Sequence, residues 1–192
     1  MSSSKLAQSM KILDDEILGC TYCRLCENRT NAVPGSGNTT NPKLVFVGEG
    51  PGRNEDLVGK PFVGRGGKLL DELLESASLK REEVYITNIV KCRPPKNRKP
   101  KPDEVEICTS HYLEKQLDLL QPKLVCTLGA TALQYFTGET EMGSEHGKLF
   151  RTRSGMPLLA TYHPAAVFRN RKLKKSLQED LQKIPGFLER GS

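Results

Sequence analysis

Residues 44–52 read LVFVGEGPG, and the fold turns on how that stretch is read. Leu44 to Val47 form an unbroken apolar run of strand length, the pattern of a central strand buried on both faces. Gly48-Glu49-Gly50-Pro51-Gly52 then ends the strand in a tight loop, where glycines permit close backbone approach to a ligand and Pro51 stiffens the chain. In an open α/β sheet, ligands bind beyond the carboxyl ends of the strands, so Glu49, Gly50 and Pro51 are expected to floor a cleft. A dinucleotide fingerprint fits badly, because its third glycine would fall at Arg53, and the Gly-Lys-Ser/Thr of a phosphate loop is absent. A purely structural turn is the plain alternative. The loop by itself implies a cleft without naming its chemistry.

Outward from this stretch, three more segments read as strands: Glu83 to Val90 (EVYITNIV), Lys123 to Gly129 (KLVCTLG) and Pro157 to Tyr162 (PLLATY). Helical spacing fills the intervals. Leu6, Met10, Leu13 and Ile17 open the chain with an amphipathic helix stopped at Gly19, which delivers Cys20 and Cys23. Leu69, Leu70, Leu73, Leu74 and Ala77 share one face of a helix from about Arg65 to Ser78. Val105, Cys108, Tyr112, Leu113, Leu117 and Leu120 line another, with Asp103 as its expected cap. A short helix is expected over Ala130 to Phe136, and Leu173, Leu177, Leu181 and Ile184 make a last one closed by Pro185-Gly186. Strands alternating with helices place the chain in the α/β class.

The chain has 192 residues, 36% of them hydrophobic, which suits one substantial core and a single domain over residues 1–192. No apolar run approaches the roughly 18 residues of a membrane span, so a soluble, cytoplasmic monomer with no membrane association is expected. The net charge of +6 is uneven: Lys91 to Lys101 holds six basic residues in eleven, and Arg169 to Lys175 five in seven. A charge run is often only a solvated face. Two such runs, each close after a predicted strand end, suggest a polyanion held across the cleft, with Lys91, Arg93, Lys96, Arg98, Arg169 and Arg171 as phosphate contacts.

Six cysteines without a secretion signal point toward a metal or cluster and away from disulfides. Cys20, Cys23 and Cys26 read C-x2-C-x2-C, and Cys92 and Cys108 are separated by fifteen residues. That spacing fits an iron–sulfur cluster slightly better than zinc and does not decide between them. Either centre would staple both ends of the proline-rich basic loop from Lys91 to Pro102. Cys126, inside a strand, reads as a small buried hydrophobe.

Three further residues carry cleft chemistry. Phe62, between glycines and a lysine in GKPFVG, is either core or a platform for stacking a base. Asn88 ends a buried strand, so its amide must be bonded either by a structural partner or by a ligand needing both a donor and an acceptor. His163 follows the fourth strand and belongs in the cleft, whereas His111 and His146 have no such placement.

With these residues in place the chain closely resembles the family-4 uracil-DNA glycosylases, the thermostable type with an iron–sulfur cluster. The likeness runs from about Cys20 to Phe168. It rests on Cys-x2-Cys-Arg-Leu, Gly48-Glu49-Gly50-Pro51-Gly52 with Glu55, Gly59-Lys60-Pro61-Phe62-Val63-Gly64, Ile86-Thr87-Asn88 followed by Lys91-Cys92-Arg93-Pro94-Pro95, and His163-Pro164-Ala165-Ala166. The resemblance implies a three-layer αβα sandwich with a central four-stranded parallel sheet. It also implies removal of uracil from single- and double-stranded DNA, and a structural [4Fe–4S] cluster on Cys20, Cys23, Cys92 and Cys108, with Cys26 a bystander.

The same resemblance gives His163 the uracil O2 atom, Asn88 the O4 and N3–H edge, and Phe62 the stacking role. The best-known uracil glycosylases carry an aspartate where this chain has Gly50 and a tyrosine where it has Gly52. Water handling therefore falls to another group: Glu55 first, then Glu49, with Asn97 as partner. Val167 and Phe168, between His163 and the second basic run, are expected to wedge into the duplex, or else to pack the last helix on the sheet. A relative that traps uracil-DNA covalently, or a non-catalytic cluster-bearing DNA-binding module, would share much of this pattern. The covalent branch carries an extra Arg- and His-rich loop after Phe62, which is absent here.

Overall fold

The run Leu44–Gly48 forms a strand whose five residues are all buried. The computed structural model, which describes residues 2–190, places it inside a six-stranded sheet. In chain order the strands are β1 (Ser36–Gly37), β2 (Leu44–Gly48), β3 (Tyr85–Asn88), β4 (Leu124–Leu128), β5 (Leu149–Arg151) and β6 (Pro157–Thr161). They lie side by side as β1-β3-β2-β4-β6-β5. The neighbours β3, β2, β4 and β6 pair in parallel, and β1 and β5 add antiparallel pairs at the two edges.

The expected four-stranded parallel sheet is thus corrected to a mixed sheet of six strands. The two added strands have two and three residues, too short for either to leave a period-two pattern in the sequence.

The helices are α1 (Ser3–Leu18), α2 (Arg53–Val58), α3 (Arg65–Ser76), α4 (Pro102–Cys108), α5 (Glu114–Leu120), α6 (Ala130–Thr137), α7 (Met142–Glu145), α8 (Leu173–Gln182) and α9 (Ile184–Arg190). Successive residues of a strand face opposite ways, and β2 divides the interior accordingly. Val45 and Val47 join a core with Met10 and Ile17 of α1, Leu117 of α5 and Leu133 of α6. Leu44 and Phe46 join a second core with Leu70 and Leu74 of α3 and Leu177 and Leu181 of α8. Helices therefore cover both faces of the sheet. Each fully buried leucine contributes roughly 1.5–3 kcal/mol.

Two helix ends differ from expectation. Asp103 does not cap its helix, which begins at Pro102; the Lys101 N–H donates to the Glu104 carboxylate at 2.8 Å, and Asp103 pairs with Arg24 instead. Pro185-Gly186 does not close the last helix but lies in the first turn of α9, where the N–H that proline lacks has no partner to lose. The expected helix through Cys108 and Leu120 is interrupted by a π-helical turn over Thr109–Leu113. No described helix is long and apolar enough to cross a membrane.

From β2 the chain moves to β3 on one side and then to β4 on the other. That reversal opens a crevice at the strands' carboxyl ends, the place where such sheets bind ligands.

Candidate active site

A cavity of about 740 Å³ lies in this crevice, lined by Glu49 and Pro51 after β2, Asn88 at the end of β3, Gly129 after β4 and His163 after β6. All four parallel strands thus feed one site. The loop after β2 is closely packed at two of its glycines. A β-carbon at Gly50 would come within 2.7 Å of Val90 Cγ2, and one at Gly52 within 2.7 Å of Glu55 Oε2. Neither an aspartate nor a tyrosine fits these positions without displacing a neighbour.

Glu55 stands in the first turn of α2 with both oxygens occupied. Oε2 accepts the Gly52 N–H at 3.1 Å, and Oε1 accepts those of Val63 at 3.0 Å and Gly64 at 2.8 Å. It joins the loop after β2 to the loop that carries Phe62. Glu49 Oε2 accepts from the Thr131 hydroxyl at the start of α6. Thr131 was missed in the sequence; its place just after a strand end at the cleft was the available signal. Asn97 is exposed at the cavity rim, and its Oδ1 accepts from Arg93 Nε at 2.7 Å.

Phe62 is buried and its ring stacks on that of His163, with centroids 5.4 Å apart and planes 28° apart. His163 Nδ1 accepts the Ala165 N–H at 3.1 Å, which leaves a neutral ring protonated on Nε2. Burial lowers the His163 pKa to about 4, with Glu55 opposing the shift and Arg169 adding to it. Asn88 is buried, and its Oδ1 has no hydrogen-bond partner among the described residues.

The basic residues divide. Lys91 is corrected from a phosphate contact to a core residue: it is 1% exposed, and Nζ donates to Thr87 Oγ1 at 2.6 Å, Gln116 Oε1 at 2.7 Å and the Asn88 carbonyl at 2.8 Å. Burial lowers its pKa to about 8 against the pull of the Cys108 sulfur and the Asp14 carboxylate. Arg98 is paired through both terminal nitrogens with the buried Glu104, at 2.6 and 2.8 Å. Lys96, Arg169 and Arg171 are exposed and Arg93 is partly so.

Val167 is likewise corrected: it is buried in the core against α3 and α8 and cannot enter a duplex. Its neighbour Phe168 is 45% exposed beneath the Arg65 guanidinium, 4.3 Å from the ring centroid. Sequence reading had not singled out Arg65.

Of the four expected cluster ligands, Cys92 and Cys108 are buried and Cys20 and Cys23 partly so, all packed in the α1-side core. Arg29 Nη1 donates to Cys92 Sγ at 3.0 Å and the Lys91 backbone N–H to Cys108 Sγ at 3.3 Å. Burial raises the thiol pKa values of Cys92 and Cys108, the latter to about 12. Among the described residues, no three His, Cys, Asp or Glu side chains converge to hold a single metal ion.

A sequence profile of the uracil DNA glycosylase superfamily matches residues 34–184. The chain is 46% identical over 186 residues to the type-4 uracil-DNA glycosylase of Archaeoglobus fulgidus, covering 91% of this chain and 92% of that one. It is 42% identical over 185 residues to the type-4 enzyme of Thermotoga maritima, covering 94% and 95%. A third type-4 enzyme, from Sulfurisphaera tokodaii, is 42% identical over 187 residues, covering 92% and 83%. With the strand ends, the loop after β2 and the histidine after β6 gathered at one cavity, and with this similarity along nearly its whole length, the chain belongs to the uracil-DNA glycosylase superfamily and within it to the type-4 uracil-DNA glycosylases.

Proposed function

We propose that this protein flips uracil out of DNA and hydrolyses its N-glycosidic bond, beginning base excision repair and leaving an abasic site. The observation that carries the reading is the buried Oδ1 of Asn88, which has no partner among the described residues. A buried acceptor left unpaired costs about 1–3 kcal/mol, a cost that a ligand's donor removes. Uracil N3–H supplies that donor and O4 accepts from the Asn88 amide nitrogen, whereas cytosine presents the reverse pattern. Phe62 stacks on the base, and His163 Nε2–H donates to O2 as negative charge develops on the departing uracil.

Glu49 is the better candidate to position the water. Glu55 already accepts three backbone N–H groups, which suits a brace more than a group that must engage water. Incubation with a uracil-containing oligonucleotide is expected to release free uracil, and Glu49→Gln to lose most of that rate. A denaturation-resistant adduct, or unchanged DNA, would overturn the function; an unimpaired Glu49→Gln would move the water to another residue.

Cys20, Cys23, Cys92 and Cys108 would hold a [4Fe–4S] cluster. Their chemistry fits the group: four thiols, two of them buried, with N–H donors from Arg29 and Lys91 aimed at sulfur. Thiolates in so dry a place need the compensating charge that iron provides. The bound cluster would supply a covalent tie between residues 20–23 and the 92–108 segment. Protein purified without air is therefore expected to be brown and to contain iron. Cys92→Ala should lower both the melting temperature and DNA affinity, and Cys26→Ala neither. Protein holding one zinc and no iron would overturn the assignment.

Phe168, without Val167, is the proposed wedge, with Arg169 and Arg171 on the flanking phosphates. Filling the vacated stack offsets part of an unstacking cost of a few kcal/mol, a cost smallest for single strands. Phe168→Ala is expected to lose at least about tenfold more activity on double-stranded than on single-stranded uracil DNA. Equal losses on both would place the wedge elsewhere.

A further inference from the structure

Arg81 does not line the cavity, yet its guanidinium reaches back to the loop that presents Phe62. It stands on a short helical turn, Arg81–Glu83, after α3. Nη2 donates to the Pro61 carbonyl at 2.9 Å and the Phe62 carbonyl at 3.2 Å, while Nη1 is paired with Asp71 of α3 at 2.5 Å. Phe62 needs such support. Its φ of 53° lies in the left-handed region, where a bulky residue is strained.

The peptide that follows Phe62 is held from both ends. Its carbonyl accepts from Arg81, and its N–H, that of Val63, donates to Glu55 Oε1 at 3.0 Å. Gly67 completes the arrangement, because a β-carbon there would overlap the Phe62 carbonyl oxygen. The strained torsion is about the N–Cα bond of Phe62, and the two carbonyls that Arg81 holds lie on either side of it. Relaxation of that torsion once the carbonyls are released would turn the Phe62 side chain relative to His163 and to the plane where a base stacks.

We propose that Arg81 is a positioning residue for base recognition, holding Phe62 in its strained conformation through the carbonyls of Pro61 and Phe62. The inference rests on the reading that Phe62 stacks on uracil, and it assigns a specific task to an arginine outside the pocket. Asp71 orients the guanidinium. Lysine could reach one carbonyl but has no second arm for Asp71.

The test is a double-mutant cycle on Phe62→Ala and Arg81→Ala, read as the dissociation constant of free uracil by calorimetry and as kcat/KM on uracil DNA, with melting temperatures alongside. Stacking on an aromatic ring is commonly worth enough to change affinity about tenfold. Phe62→Ala is expected to weaken uracil binding by about that factor, Arg81→Ala to approach the same loss, and the double variant to bind no worse than Phe62→Ala alone. Arg81→Lys should recover part of the affinity. Wild-type uracil binding by Arg81→Ala, or losses that multiply in the double variant, would overturn the inference while leaving the stacking reading intact. An unimpaired Phe62→Ala would instead sink the stacking reading itself, and this inference with it. Should Arg81→Ala not fold, Asp71→Asn takes its place in the cycle, with a smaller loss in the same non-additive pattern expected and the same outcomes decisive.

Discussion

With His163 replaced by alanine, uracil release is expected to slow by about 10²–10³-fold, the usual cost of removing one donor from a developing oxyanion. The loss should fall on kcat, because the bond to O2 strengthens as the glycosidic bond breaks and contributes less in the ground state. A wild-type kcat would remove His163 from the chemistry. The residue also predicts a pH signature in stability. Its folded pKa is about 4 against an ordinary 6.5, so between these values the unfolded chain binds more protons than the folded one. Its contribution is fully present above about pH 6.5 and is lost as pH falls through the window toward 4. Denaturant melts from pH 7 to pH 4 should therefore fall more steeply for the wild type than for His163→Asn. Parallel curves would mean that the histidine is not held neutral.

Asn88→Asp is expected to cut uracil release by at least about 10²-fold and to raise cytosine release above background. The substitution keeps size and shape but replaces the amide nitrogen with an acceptor, which then faces uracil O4. Two acceptors meeting in a buried site repel one another, while the exocyclic amine of cytosine gains a partner. Asn88 Oδ1 packs closely over Gly48, where a β-carbon would come within 2.5 Å of it and within 2.8 Å of Phe62 Cζ. Parallel assays on uracil and cytosine oligonucleotides check both halves. Wild-type uracil release by the variant would make the amide structural.

The sequence alone determined the α/β class, the buried central strand at Leu44–Gly48 and the cavity-lining positions of Glu49, Asn88 and His163. These are local signals, since apolar run length and strand or helix period are carried by residues close in the chain. Tertiary structure decided what each polar group does there. Lys91 opens the longer of the two basic runs, yet its ammonium is buried because Gln116, 25 residues on, bonds it beside Thr87 and Asn88. Glu49 meets Thr131 across 82 residues, and Glu55 is taken up by the backbone of the Phe62 loop. Val167 and Phe168 are adjacent, but the turn after His163 sends one into the core and leaves the other exposed. Edge strands β1 and β5 have too few residues to show a period and form only because β3 and β6 offer them unpaired backbone. A charge or an amide finds its partner wherever the folded chain brings one within about 3 Å, and that proximity is a property of the packed sheet and helices, not of the neighbouring residues in the sequence.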